Sequence, residues 1–479
     1  MPFLLLSAFL LLAAYPMTGS TSVIWVLAAS QLALLVGEIK KRQVTGAGAF
    51  IFMSFLFFGV RPIYLVLEGD KFLFTNVYLI RVGMAEIGDC MWWATLALLV
   101  FAVGAYLAPR MSAQWLKRRR LKNRAGAAIR PVVAKSTASL LLAAQFVTLV
   151  AMIALTKFGR TLYGSALGAY AYDAPVPMQA VHIFAVVVLL ERWLRQRSAD
   201  STIMLAVSGV LFLYFTWLMR EVSQFRGFYI TGVMIVGIAV LMRLKGRVGY
   251  MWLIVPIVVL QPFFQYLGGD RQKSNAELAE TGLIEEVFDD QSLGETYWKF
   301  YDSLGDMNIF DTFVAAKRSE PAFYPYMWSW AYVPFHLVPR AIWEGKPKGG
   351  VTQDMAFTNE APTSPGIAGF FLLDGGLVWM LLSMVVLGYL VSLVDWTILT
   401  MRPGYLQCCL IGIVTINAMF LTRFFLWQYF YQVLYAALPC IFLAWYVNRN
   451  TTRMRTNVRR ASMSMRHGTS TPEGLTGSA

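Results

Sequence analysis

Thr137–Thr156 reads TASLLLAAQFVTLVAMIALT, twenty residues without a charged side chain. A helix crossing a bilayer needs about 20 mostly apolar residues, because lipid offers backbone polar groups no water to bond. This stretch meets that requirement alone, and similar runs lie on both sides of it. Upstream are 2–15, 22–37, 47–66 and 89–108; downstream are 179–194, 202–219, 227–243, 249–267, 371–398, 405–422 and 426–446. The chain therefore reads as all-α and polytopic, with about twelve transmembrane helices. The runs are continuous rather than alternating, which excludes a membrane β-barrel. The run 2–15 has no basic residues before it, so it reads as a retained span and not a signal peptide.

The composition agrees. Of the 479 residues, 57% are hydrophobic and 14% charged, and the mean hydropathy is +0.56. Soluble domains are about 25% charged. Cys90, Cys408, Cys409 and Cys440 fall in or beside apolar runs and read as small buried side chains. Neither they nor His182, His336 and His467 have metal-ligand spacing, so no metal and no cofactor is implied. No internal repeat is visible, which gives no support to a transporter built from inverted halves.

The net charge of +14 is sorted by loop. Lys40-Lys41-Arg42, Lys117-Arg118-Arg119-Arg120, Arg192, Arg195, Arg197, Arg243, Lys245, Arg247, Arg402 and the Arg-rich tail all fall on one side of a twelve-span chain. Short loops rich in Lys and Arg stay in the cytoplasm. Both termini are thus expected there, and the basic excess reads as a topogenic signal rather than a nucleic-acid surface. Four regions follow. Residues 1–267 carry about nine helices. Residues 268–370 form one large external loop, acidic at first and then aromatic from Tyr324 to Trp343. Residues 371–446 supply the last spans, and 447–479 form a polar basic tail expected to be disordered. The aromatic stretch is expected to lie at the membrane interface, where Trp and Tyr favour headgroup depth, with stacking on sugar rings as the alternative.

Some cations run against the inside-positive bias. Arg61, Arg220, Arg226, Arg271, Lys273 and Arg423 lie at the external ends of spans, and Arg340, Lys346 and Lys348 lie in the external loop. Charges at the membrane edge are functional candidates, and guanidinium forks match phosphate and diphosphate. Interfacial snorkelling or salt bridging is the plain alternative for each one. Possible general bases on the same side are Glu221, Asp270, His336, Glu360 and Asp374, and the sequence does not choose among them.

Four short segments resemble the Wzy-type polymerases, which join the oligosaccharide or O-antigen repeat units of bacterial envelopes. They are Arg226-Gly227 opening a span; Pro339-Arg340 through Trp343 to Lys346-Pro347; Thr363-Ser364-Pro365-Gly366 running to Gly375-Gly376; and Leu421-Thr422-Arg423. Their order and the large late loop match as well. The resemblance implies a GT-C-like fold with one large periplasmic loop, in the bacterial inner membrane. It implies a glycosyltransferase working on undecaprenyl-diphosphate-linked donor and acceptor glycans, beside a possible flippase and chain-length regulator. Arg61, Arg220, Arg226, Arg271, Arg340, Lys346 and Arg423 would then hold the diphosphate. Related O-antigen ligases, which move the glycan to lipid A core and use an external His and Arg, share the layout. A lipid-linked glycan flippase is a further alternative.

Overall fold

The computed structural model describes residues 1–17, 19–67, 72–74, 79–115, 133–162, 174–222, 227–254, 309–318, 328–336, 343, 365–422 and 426–467. For 72–74, 79–81, 158–162, 220–222, 227–230, 328, 336 and 451–467, only the backbone is described. The chain begins with helix α1 (Pro2–Ala14), closed by a short turn over Tyr15–Met17, and α2 (Thr21–Ile39). Then come α3 (Gly46–Phe55), a π-helical turn over Leu56–Val60, and α4 (Arg61–Leu67). A small antiparallel hairpin pairs β1 (Phe72–Phe74) with β2 (Leu79–Arg81), Phe72 opposite Arg81. The next helices are α5 (Met84–Met111), α6 (Lys135–Leu162), α7 (Pro175–Gln196), α8 (Ala199–Val222) and α9 (Gly227–Lys245). Two short helices follow, α10 (Ile309–Arg318) and α11 (Trp328–His336). The last three are α12 (Gly366–Leu399), α13 (Tyr405–Leu421) and α14 (Leu426–His467).

Among the described residues, eight helices are long and apolar enough to cross a membrane. The chain is a helical, multi-pass membrane protein. The other expected spans resolve differently. Pro2–Met17 and Tyr405–Leu421 are apolar but shorter, α9 is helical for 19 residues, and the run 249–267 is described only to Ile254. Helix α14 continues to His467, well past 447, where the tail was expected to lose structure.

Helix starts follow local chemistry. The Ser20 hydroxyl accepts from Ser22 N at 3.2 Å and the Thr45 hydroxyl from Gly48 N at 3.1 Å, satisfying donors that a helix leaves open. Pro2 and Pro175 sit in first turns, where a missing N–H costs nothing.

The centre of the bundle is α13, in which every residue but Leu406 and Phe420 is buried. A helix apolar all round belongs inside others. It packs against α3, α9 and α14. The most extensive helix pair is α5 with α12. A Cβ on Gly104 would lie 2.0 Å from the Val385 carbonyl oxygen, and one on Gly388 would lie 2.0 Å from that of Phe101. Only glycine lets the backbones come so close, as in small-residue packing of membrane helices. Ser392 Oγ adds a 2.8 Å bond to the Ala105 carbonyl. Both helices begin against α10, Glu86 and Asp89 of α5 on Arg318 and Lys317 and Gly366 of α12 on Ile309, so α5 and α12 run parallel. Alternating spans four and ten would also run parallel.

Helices α6 and α8 lie at the rim, with Phe146, Val147, Val150, Val210 and Leu213 exposed. Such an apolar surface suits lipid. Between them and α7, buried His182 has Nδ1 3.3 Å from Gln145 and Nε2 3.0 Å from Thr148, a histidine held by structural partners. The four cysteines are buried thiols, as the sequence implied.

Contacts between helix ends sort into two sets. At one end Val44 N bonds the Val248 carbonyl at 2.8 Å, Asp395 accepts from the N–H groups of Gly46 and Ala47, and Tyr405 donates to Asn448. At the other, Arg61 meets Asp311, Arg318 meets Glu86, and Gly366 packs on Thr422.

Candidate functional site

The second end holds both candidate residues whose side chains are described, Arg61 and Asp374. Arg61 opens α4 directly after the π-helical turn. Such turns carry an extra residue and leave carbonyls without their usual partner. Here Gln31 Nε2 compensates, donating to the Phe58 carbonyl at 3.2 Å and to Thr95 Oγ1 at 2.9 Å. The turn sets Arg61 inside the protein, 2% exposed. Its Nη2 donates to Asp311 Oδ2 at 2.8 Å and its Nε to Oδ1 at 3.3 Å, a two-pronged pair with a fully buried carboxylate.

Asp311 is delivered by α10, in which Ile309–Ala316 are all buried. This helix is pinned again at its far end, where Lys317 pairs with Asp89 and Arg318 with Glu86 on the first turn of α5. The bonded Glu86 carboxylate pushes the Arg318 pKa further above the ordinary guanidinium range. Phe58 meets Phe313 edge-on at 5.6 Å, closing the layer between the π turn and α10.

Asp374 stands on α12 just before Gly375 and Gly376, where the helix breaks and Gly376 turns to φ 74°. The carboxyl is fully buried. Its Oδ2 accepts from Ser329 N at 2.9 Å, capping the start of α11. Its Oδ1 is buried with no hydrogen-bond partner. A buried acceptor left open marks a place where a donor can be received at little added desolvation cost. Helix α11 is held against α12 by Trp330, whose Nε1 donates to Ser383 Oγ at 3.1 Å and whose ring lies parallel to Phe371 at 5.8 Å. On its other side Tyr332 meets Trp427 of α14. The aromatic stretch expected at the interface is, over 328–336, a helix docked between two spans.

Gly366, at φ 70°, starts α12. A Cβ there would be 2.6 Å from the Thr422 carbonyl oxygen, 3.0 Å from Ile309 and 3.5 Å from Phe58. Four elements therefore meet at one glycine: the π turn leading to Arg61, the start of α10 leading to Asp311, the start of α12 leading to Asp374, and the end of α13 just before Arg423 in sequence.

Of the sequence candidates, Arg226, Asp270, Arg271, Arg340, Lys346, Glu360 and Arg423 lie outside the described residues. Arg220 and Glu221, in the last turn of α8, and His336, ending α11, are described in backbone only. Arg61 is ion-paired, the plain alternative that the sequence left open for it. Its fork is engaged by Asp311, so an anion binding there would have to displace a buried carboxylate. Sequence reading missed Asp311. The available signal was a single acid set among Ile309, Phe310, Phe313 and Val314.

Residues 127–393 match a family described as a domain of unknown function, DUF8712. The match runs from α6 into α12 and takes in Asp311, Gly366 and Asp374. No curated protein and no solved structure matches the chain.

Proposed function

We propose that this chain, which belongs to the DUF8712 family, is a metal-independent glycosyltransferase that joins undecaprenyl-diphosphate-linked repeat units at the periplasmic face of the bacterial inner membrane. One observation carries the reading. Two of the four segments that resemble the Wzy-type polymerases meet at Gly366 and Thr422, and a buried carboxyl with an open oxygen stands eight residues further along the same helix. In this reading that end faces the periplasm, and the opposite, Lys- and Arg-rich end faces the cytoplasm.

The chemistry is a displacement at the anomeric carbon of the donor chain. A hydroxyl oxygen of the acceptor repeat unit attacks that carbon. The bond to the donor's diphosphate breaks, and undecaprenyl diphosphate leaves with the electron pair. Asp374 Oδ1 takes the hydroxyl proton, a role worth roughly 10²–10⁴ in rate for a positioned base. Arg220, Arg226, Arg271, Arg340, Lys346 and Arg423 are the cations available to the leaving diphosphate. A donor aimed at developing charge contributes about 10²–10³ in rate. Arg61 is a positioning residue, since through Asp311 it seats α10 beneath the start of α12.

Deleting the gene in its host tests the reading. The expected result is accumulation of single lipid-linked repeat units, with loss of polymer that the wild-type gene restores and the Asp374→Asn form does not. Full-length polymer left on the carrier lipid would instead indicate a ligase. Repeat units confined to the inner leaflet would indicate a flippase.

A further inference from the structure

The end of the bundle opposite Asp374 has its own organised surface. The α2–α3 loop and the segment after α9 are locked together: Val44 N bonds the Val248 carbonyl at 2.8 Å, and Val248 N donates to Gln43 Oε1 at 3.3 Å. The lock places Lys40 and Arg42 on one loop beside Lys245 and Arg247 on the other, all four exposed. Lys41 pairs with Glu38, and Arg243, at the end of α9, with Glu191. No Asp or Glu occurs in 39–47 or in 243–252. The two bonded loops thus carry four exposed cations with no carboxylate from either loop to offset them.

Backbone conformation adds an independent sign. Among the described residues, the non-glycine positions with positive φ are Arg42 at 56° and Arg197 at 45°. Both follow helix C-termini, where the left-handed region favours Gly or Asn. Both are exposed and both belong to this end, Arg197 closing α7. An arginine at such a position accepts backbone strain that glycine would avoid, which fits a use for its side chain.

The surroundings fix the depth. Lys245 Nζ lies 4.3 Å from the centre of the Trp252 ring, and Lys40 Nζ lies 4.5 Å from that of Phe3. Trp252 and its neighbour Met251 are 47% and 65% exposed. Aromatic rings with lysines folded over them, at the ends of apolar helices, belong at headgroup level.

We infer that these paired loops form a binding surface for anionic phospholipid headgroups. The phosphate of a lipid seated beside Trp252 would sit among Lys40, Arg42, Lys245 and Arg247. The inference is independent of glycosyl transfer.

Purified protein in neutral detergent would be titrated with phosphatidylglycerol, phosphatidylcholine or inorganic phosphate, with bound lipid counted by native mass spectrometry. A basic residue at an anionic surface contributes about fivefold in affinity. Wild-type protein should therefore prefer phosphatidylglycerol to phosphatidylcholine by at least about tenfold. The variant Arg42→Asn/Lys245→Gln/Arg247→Gln should lose that preference while binding phosphatidylcholine as before. Should the triple variant misfold, Arg42→Asn/Arg247→Gln serves, since Asn suits the left-handed position. Two results would overturn the proposal: variants that keep the full preference, or millimolar inorganic phosphate displacing the lipid.

Discussion

Replacing Asp311 by Asn keeps the side chain's shape and removes its charge, leaving Arg61 cationic at 2% exposure. Removing one partner of a buried ion pair costs about 3–5 kcal/mol, because the other charge stays desolvated without compensation. At about 1.4 kcal/mol per tenfold, that is a loss of about two to three and a half powers of ten in the folding equilibrium. Arg61→Met should cost a similar amount, stranding Asp311, which is fully buried. The double variant Arg61→Met/Asp311→Leu removes both charges and fills the space with apolar atoms. Such replacements are often neutral or stabilising, so the double should melt above either single. The assay is the fraction of detergent-solubilised protein that stays monodisperse after heating, measured for all four proteins. If Arg61 acts by seating α10, the stable double variant keeps at least about a tenth of the transfer activity, an effect well below the 10²–10³ of a lost charge-stabilising donor. Singles that melt with wild type, or a double whose loss equals the sum of the two, would refute the reasoning.

Gly366→Ala should sharply reduce folded protein, since the left-handed φ costs about 1–2 kcal/mol and the new Cβ meets a backbone oxygen at 2.6 Å that cannot swing away. Gly376→Ala meets open space, but φ 74° with ψ −172° is a conformation essentially confined to glycine, so it should lower the melting point through backbone strain of about 1–3 kcal/mol. Asp374→Asn should leave folding intact and lower polymerisation by about 10²–10⁴, because the amide still caps α11 but cannot take a proton. Asp374→Ala should lose the cap as well, at about 1 kcal/mol, read as a lower melting point than Asp374→Asn. Gly388→Ala should destabilise through the α5–α12 contact, seen as lower yield of monodisperse protein.

The spanning helices were legible because lipid imposes one simple requirement, a long apolar run. The sequence runs 47–66, 89–108, 137–156, 202–219 and 426–446 all sit within helices of the structure. What escaped notice depends on tertiary partners. Within 268–370, read as one external loop, Ile309–Arg318 is a buried helix whose apolar positions are too few to signal a span. The run beginning at 371 is a helix from Gly366 that breaks at Gly375-Gly376, a feature set by two backbone angles and not by hydropathy. The charge of Arg61 stood out in the sequence, and a salt bridge was one reading of it. Its partner lies 250 positions away, and no local pattern links the two. Asp374 was one of five possible bases. Its open oxygen becomes visible only once Ser329 is seen to occupy the other.

Purified protein supplied with a single lipid-diphosphate-linked repeat unit tests the central claim most directly. Products are resolved by size, with a chelator present and no divalent metal added. The account predicts a ladder of longer lipid-linked chains from wild-type protein and none from Asp374→Asn. Repeat units recovered unextended from active, folded wild-type protein, or a single transfer made only when lipid A core is added, would contradict it.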